Sequence, residues 1–336
     1  MPVFSHDSAS AALKLFTGPL ILGLCVEAWP QFANQAGTAE LSAITIVAAA
    51  RPAGLAGAYS ALAEGSSAIG INPAGLSRES GQNFSGSLRP DMVRVGAVAY
   101  SRPAFGGQVA VSASYVDYDE ILGMDENQNF TGSLHPFSVY PAVTYARAQG
   151  ERWRWGTTVK VAHETLGDFE GSRPALGAGI DAGVQYQPAV RNVGFGASVT
   201  NLGRKFRGHT EADESGPLPG MVKGGLFYHP RGRKQLALIA DLELPFYSAP
   251  VLAVGGEYRV LSEWDLRAGT RWDSDDVRNL YGWLNPSEEI RERGGEAVKL
   301  AAGTTVRIGP VGVDYAVQWW RDLGVVHSLT VAWAIN

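Results

Sequence analysis

Six histidines, at positions 6, 135, 163, 209, 229 and 327, are the first residues to weigh for acid–base or metal chemistry. None stands in an HExxH or comparable spacing, in which two imidazoles one helical turn apart converge on one ion. His163 and Glu164 are adjacent, and on a strand adjacency sends two side chains to opposite faces. A serine–histidine pair on an outer surface is the one hydrolytic arrangement left to test, with His163 and His327 as its candidates. Gly177-Ala178-Gly179 resembles part of a phosphate loop, but no helix follows to receive the phosphate at its N-terminus. No catalytic residue, metal site or cofactor is expected.

The charges are more orderly. Lys160, Lys223, Asp241, Glu243, Glu257, Arg259, Asp265, Arg267, Arg271, Lys299, Arg307 and Asp314 fall on one face of alternating segments whose other face is apolar. Leu236, Leu238, Ala240, Leu242 and Leu244 oppose Asp241 and Glu243. Leu266, Ala268, Thr270 and Trp272 oppose Asp265, Arg267, Gly269 and Arg271. A helix would spread both sets around its circumference; only a strand separates them. Neighbouring segments carry opposite signs, so cross-strand pairs such as Glu257 with Arg267 are expected. Charges at mid-membrane must face a lumen, because lipid exposure of Arg or Lys costs about 2–4 kcal/mol. Such a face serves either a polar conduit or an ion-pair lattice that stiffens a closed lumen.

The elements that position these residues are segments 82–88, 93–100, 106–116, 138–148, 153–165, 175–187, 193–202, 221–229, 234–244, 250–259, 264–272, 297–308, 311–320 and 325–335. They predict a transmembrane antiparallel β-barrel of about 14 strands. Short links such as 149–152, 188–191 and 230–233 follow even-numbered strands, whereas the long polar stretches 117–137, 203–220 and 273–296 follow odd-numbered ones. Short periplasmic turns and long external loops give this alternation, and an even strand count places both barrel ends in the periplasm. Trp153, Trp155, Trp264, Trp272, Trp319, Trp320 and Trp333 stand near segment ends, where interfacial girdles require them. The last segment, Ser328 to Asn336, carries alternation to the end of the chain and resembles a C-terminal barrel strand, without the usual terminal aromatic.

Composition agrees. The 336 residues are 45% hydrophobic and 18% charged, below the about 25% charge of soluble domains. Mean hydropathy is -0.05, too low for a helical membrane protein, and 41 glycines exceed the usual share of about 7%. A net charge of -5 without a basic run argues against nucleic-acid binding. The single cysteine, Cys25, cannot form an intrachain disulfide.

Lys14 to Trp29 read KLFTGPLILGLCVEAW, one cation before a short apolar run broken by Gly18 and Pro19, as in a secretory signal. It is too short to span comfortably as a helix. Cleavage after Ala28 or Ala36 makes residues 1–36 a signal peptide and implies export to a Gram-negative-type outer membrane. A lipoprotein site at Cys25 fits less well, because Leu24 stands where a small residue is expected. An uncleaved anchor is the alternative.

Between this signal and the barrel, residues 43–81 form a separate segment, followed by the barrel at 82–336. Its core, Ala50 to Leu76, is dominated by small residues. A short helix over 53–63, a turn at Gly65 and another at Asn72-Pro73-Ala74-Gly75 are expected, since Asn before Pro leaves the helical region. Arg51, Gly54, Gly57-Ala58-Tyr59, Ala61-Leu62, Glu64 and Asn72-Pro73-Ala74-Gly75-Leu76 occur in an order that resembles the N-terminal signature of FadL-like barrels, and most closely the PorV/PorQ family. Glu64-Gly65 stands where paired acidic residues are common, and Gly70 where an aromatic is usual. The resemblance implies that this segment plugs or gates the lumen as a hatch, with Arg51, Gly54, Gly57, Asn72, Pro73, Ala74, Gly75 and Leu76 as its residues. Through PorV/PorQ it implies service to protein secretion or surface attachment, with secretion-apparatus proteins or secreted cargo as partners alongside outer-membrane lipid. Through FadL it implies the alternative, a transporter gated by the hatch and taking a small hydrophobic ligand. The charged inward face speaks against simple long-chain lipid transport.

Overall fold

The computed structural model describes residues 41–91, 93–124, 130–167, 172–189, 192–211, 215–273, 299–320 and 324–335. The expected signal peptide and most of the 273–296 connection lie outside them. The strands are β1 (Gln82–Pro90), β2 (Arg94–Ala104), β3 (Gly107–Asp117), β4 (Ile121–Met124), β5 (Phe130–Leu134), β6 (Phe137–Gln149), β7 (Trp153–Thr165) and β8 (Ala175–Tyr186). They continue with β9 (Val193–Arg207), β10 (Met221–Tyr228), β11 (Leu236–Pro245), β12 (Val251–Leu261), β13 (Trp264–Asp273), β14 (Lys299–Ile308), β15 (Val311–Trp320) and β16 (Gly324–Ile335). Fourteen of them close into one antiparallel barrel, in which β1 pairs with both β2 and β16; β4 and β5 form a separate hairpin.

Each barrel strand alternates between two environments. Leu238, Leu242, Leu252, Leu266, Leu300, Val306 and Leu329 are exposed on the outside, while Ala237, Ile239, Asp241, Glu243, Ala253 and Thr330 are buried on the inside. An apolar exterior spread over a whole sheet is untenable in water and suits a hydrocarbon surround. At the end carrying the short connections, Trp153, Trp155, Trp264 and Trp333 are exposed beside that band, as a girdle requires. Trp320 departs from the girdle expectation. It lies on the inward parity of β15, with its ring 5.9 Å from the Arg271 guanidinium.

Three local expectations are corrected. β9 runs on to Arg207 rather than stopping at 202, because a register shift at Asn201 (φ 58°) turns the strand and keeps it paired. Asp181 accepts the Asn201 N–H at 2.7 Å, and the Lys160 ammonium reaches the Asn201 side chain at 2.5 Å, fixing that bulge. The stretch at 117–137 is not all loop, since it contains the β4–β5 hairpin. The expected helix at 53–63 is instead α1, Ala50–Gly54. Ala56 (φ 53°) and Gly57 (φ 94°) turn left-handed and end it. The N–H groups of Tyr59 and Ser60, which a helix would use internally, donate to Asp241 at 2.9 and 2.7 Å.

Candidate functional site

Residues 41–81 lie within the lumen, with α1 against β14, β15 and β16 and the 3-10 turn Pro73–Arg78 against β6, β7 and β8. Leu55, Ala58, Tyr59, Ala61, Asn72, Ala74 and Leu76 are buried. Backbone there must find partners, since a strand wall leaves no water to supply them. Four inward side chains do so. Gln185 donates to the carbonyls of Ser60 (3.2 Å) and Ala63 (2.9 Å), Ser198 donates to Ile71 O (2.6 Å), Thr330 accepts the Ala50 N–H (2.9 Å), and Asp241 holds Tyr59 and Ser60.

Asn72 is fully buried and makes three bonds. Its amide nitrogen donates to Ser60 O (2.9 Å) and Val184 O (3.1 Å), while its oxygen accepts the Ala74 N–H (3.2 Å) as an N-cap. Pro73 occupies the first position of the turn, where no donor is needed. Wall glycines let this backbone come close. A Cβ on Gly156 would stand 2.5 Å from the Pro73 carbonyl, one on Gly183 would collide with Asn72, and one on Gly196 with the Ser60 carbonyl. Gly54 meets Gly303 the same way, and Gly75 packs on the Ala63 carbonyl.

Most of the expected lumen charges are paired, in separate ion-pair clusters. Arg51 pairs with Glu64 (2.8 Å) and with Glu257 (3.0 Å), and Glu257 pairs with Arg267 (2.7 Å), the cross-strand partner expected from alternation. Arg267 continues to Asp314 (3.2 Å) and to Thr305, which also bonds Asp314. Asp265 binds Arg259 (3.1 Å) and Arg307. Glu243 binds Lys223 (3.1 Å) and Arg271 (3.2 Å), beside Gly57. Lys299 has its backbone in β14, and its side chain is outside the described residues. Burial disfavours charge on Arg51, but Glu257, Tyr59 and Glu64 beside it hold its pKa well above the ordinary arginine value. Burial pushes the Tyr59 phenol up to about 12. The half-exposed Glu64 carboxyl is pushed up by burial but drawn below the ordinary range by Arg51. Glu79 is raised, chiefly by burial, against the hydrogen bonds from Ser101 and Ser66.

Apart from Lys160, these charges occupy one side of the lumen, on β10 to β15. On β1, β2, β3 and β6 the wall is small and uncharged, with Ser85, Ser87, Ala97, Ala99, Ser112, Ser114 and Ala142 facing inward, and the Lys160–Asp181 ion pair stands at its edge on β7 and β8. Alternating serine and alanine over 85–114 is the sequence sign of this wall.

Among the described residues, cavities adjoin the plug. One of about 550 Å³ lies toward the long-loop end, among Ile46, Val47, Met221, Tyr247, Arg271 and Trp320. One of about 90 Å³ sits mid-lumen against the uncharged wall, and one of about 310 Å³ toward the short-turn end, beside Arg51, Glu64, Glu79 and Arg307. Of the hydrolase candidates, His327 shares a 2.7 Å hydrogen bond with the Tyr315 hydroxyl, and His163 stacks on Phe137. Among the described residues neither has a serine partner, and no group of metal-binding side chains occurs.

Fold and lumen together define a closed 14-strand antiparallel barrel with residues 41–81 inside it. Solved structures with this architecture include the toluene transporter TbuX of Ralstonia pickettii, at 14% identity and TM-score 0.59, covering 86% of this chain and 98% of that one. The toluene transporter TodX of Pseudomonas putida matches at 13% identity and TM-score 0.59, over 85% and 96% of the two chains. The monoaromatic hydrocarbon channel CymD matches at 12% identity and TM-score 0.59, over 87% and 98%. No protein-family profile and no curated protein matches the sequence. The 14-strand barrel fold is therefore shared with these hydrocarbon channels, and the finer resemblance to PorV/PorQ finds no support in these comparisons.

Proposed function

We propose that this chain is an outer-membrane channel for small hydrophobic compounds, exported by its N-terminal signal and closed at rest by residues 41–81. The observation that carries the reading is the way the plug is held. Its backbone is tied to the wall by individual hydrogen bonds from Asn72, Gln185, Ser198, Thr330 and Asp241, with open volume on both sides of it. A purely structural filler would gain from continuous side-chain packing and would leave no such spaces. Arg51, Gly54, Gly57 and Asn72 to Leu76 are then residues of a gate, and the lattice around Arg267 is its rigid abutment. Hydrocarbon transport by barrels of the same architecture favours this reading over a secretion-partner role, for which no observation speaks. The uncharged half of the lumen suits small apolar solutes better than the charged half would.

The test is uptake of N-phenyl-1-naphthylamine by intact cells whose outer leaflet is lipopolysaccharide, with and without the full chain. Faster fluorescence gain in expressing cells supports a hydrophobic channel. A rate equal to the empty vector, with the barrel present in the outer membrane and heat-modifiable on gels, refutes it.

A further inference from the structure

Two cations at the short-turn end of the lumen stand without an answering acid. Arg154 is the second residue of β7 and shares the inward parity of Gly156, Thr158 and Lys160. Its cross-strand neighbour is Gln185 of β8, which is fully buried. The Gln185 side-chain oxygen accepts the Nε–H of Arg78 at 2.8 Å, and Arg78 is the last residue of the plug's Pro73–Arg78 turn. The plug therefore carries one guanidinium to a place where the wall already presents another.

The Arg154 Nε and Nη1 atoms are buried and have no hydrogen-bond partner. Among the described residues no carboxylate pairs with either arginine. Glu64, whose field reaches Arg78, is engaged by Arg51 at 2.8 Å, and Glu79 is engaged by Ser66 and Ser101. Burial, and after it the charge of Arg154, lowers the Arg78 pKa below the ordinary arginine value. Other lumen cations are answered at once: Arg267 by Glu257 and Asp314, Lys223 by Glu243, and Lys160 by Asp181. A desolvated guanidinium without an acceptor is unfavourable, and a second one beside it compounds the cost. Gln185 cannot relieve both, since its amide nitrogen is held by the carbonyls of Ser60 and Ala63 and its oxygen by Arg78.

We propose that Arg78 and Arg154 form a binding site for a soluble phosphate-type oxyanion, entered from the short-turn mouth and bridging the plug to the barrel wall. The site does not depend on which solute the barrel passes. Each guanidinium presents a planar fork of N–H donors, and of these only Arg78 Nε has an acceptor among the described residues. A carboxylate offers one edge, which satisfies one fork. A tetrahedral oxyanion offers oxygens to two forks that arrive from different elements. A phosphate group also brings a charge of about −1.5 to −2 at neutral pH, close to the two positive charges it meets. Entry is open, because Ala148 and Gln149 at the end of β6 are exposed and Arg78 is only half-buried. Between Arg78 and the start of β1 at Gln82 lies the left-handed Gly81 (φ 70°), with nothing packed against it. The bound anion thus fastens the plug just before the joint where it meets the wall, and by mass action it favours the docked form.

The experiment uses the full chain purified in a phosphate-free non-ionic detergent near neutral pH. Sodium phosphate, and sodium chloride at equal ionic strength, are titrated in by isothermal calorimetry. The wild type should bind phosphate saturably and give no such response to chloride. Arg154→Gln and Arg78→Gln should each weaken binding on the order of 10- to 100-fold, whereas Arg147→Gln, on the outer parity of β6, should not change it. Phosphate should also slow amide hydrogen exchange over residues 73–81 in the wild type and in neither lumen variant. Both lumen variants remove an unanswered cation, so both should fold, as heat-modifiability on gels will show. Phosphate binding retained in both folded variants, or an equal response of the wild type to the two salts, overturns the site. Saturable binding without slowed exchange overturns the bridge from plug to wall. Binding of dihexanoylphosphatidylglycerol without binding of phosphate makes the anion a membrane lipid and overturns the soluble ligand. The channel reading is tested separately by uptake, so the two can fail independently.

Discussion

Replacing Asn72 tests whether individual hydrogen bonds hold the plug. Asn72→Ala removes two donors and one acceptor from a fully buried position. The Ser60 carbonyl keeps Gln185 as a partner and Val184 stays paired on both sides in the sheet, so the group orphaned is the Ala74 N–H. At about 1–3 kcal/mol for a buried unsatisfied group, docking weakens by about 1–3 kcal/mol. At 1.4 kcal/mol per factor of ten, that raises the undocked fraction roughly 5- to 140-fold. Asn72→Asp is the sharper probe. It keeps the shape and the cap on Ala74 but turns an acceptor toward two carbonyls, in a site with no access to water. Burying that charge unpaired costs more than losing the amide, so at neutral pH the variant should undock further than Asn72→Ala. Protonation restores a donor. The new carboxyl has its pKa raised by docking, so docking is favoured at low pH and lost as pH rises through that raised value. The assay is trypsin cleavage after Arg78 in purified barrel, paired with single-channel conductance, with strand content measured by circular dichroism. If Asn72→Asp is as protected and as quiet as the wild type at neutral pH, plug retention does not depend on this side chain, and the reasoning fails.

Other outcomes follow from the same geometry. Gly156→Val forces a side chain onto the Pro73 carbonyl and should open the plug by conductance and trypsin cleavage, at about 1–3 kcal/mol of overpacking, whereas Gly224→Val, with nothing within 4 Å, should leave both unchanged. A double-mutant cycle on Arg51→Ala and Glu257→Ala, read by the same proteolysis, should give a coupling of about 1–3 kcal/mol, because both groups are largely buried; additivity would mean that this ion pair does not hold the plug. The two plug carboxylates respond to pH in opposite senses. Glu79 is raised in the docked state, so its contribution is present below the ordinary glutamate value and lost as pH rises through the raised one. Glu64 is lowered, so its contribution is present above the ordinary value and lost as pH falls through the lowered one. Plug protection in Glu64→Gln should therefore weaken only on raising the pH, and in Glu79→Gln only on lowering it; identical profiles would contradict the assignment.

Most of the barrel was legible because each strand faces two solvents. Leucine against charge at period two, as in Leu236 to Leu244 and Leu266 to Trp272, leaves little choice of conformation, and it also foretold the Glu257–Arg267 pair. What escaped the sequence was carried by backbone. The wall glycines at 156, 183 and 196 look like ordinary strand glycines until the carbonyls of Ser60 and Pro73 are seen against them. The helix at 53–63 failed for a similar reason. Asp241, nearly two hundred residues away, takes the N–H groups of Tyr59 and Ser60, and no local pattern announces that competition. The bulge at Asn201 likewise depends on Asp181 and Lys160 from neighbouring strands. The NPAGL turn was readable in place and form, since proline after asparagine fixes it, whereas its anchor on Val184 was not.

The central claim is that a small hydrophobic solute passes this barrel and a polar one of similar size does not. The direct measurement is the initial rate at which radiolabelled toluene, at limiting concentration, enters intact lipopolysaccharide-coated cells expressing the full chain, set beside the rate for labelled arabinose. The account predicts a rise over the empty vector for toluene, a further rise for Asn72→Ala, and little change for arabinose through the wild-type barrel. Equal acceleration of both solutes would mark an open polar pore, and acceleration of neither would mark a sealed barrel; either contradicts it.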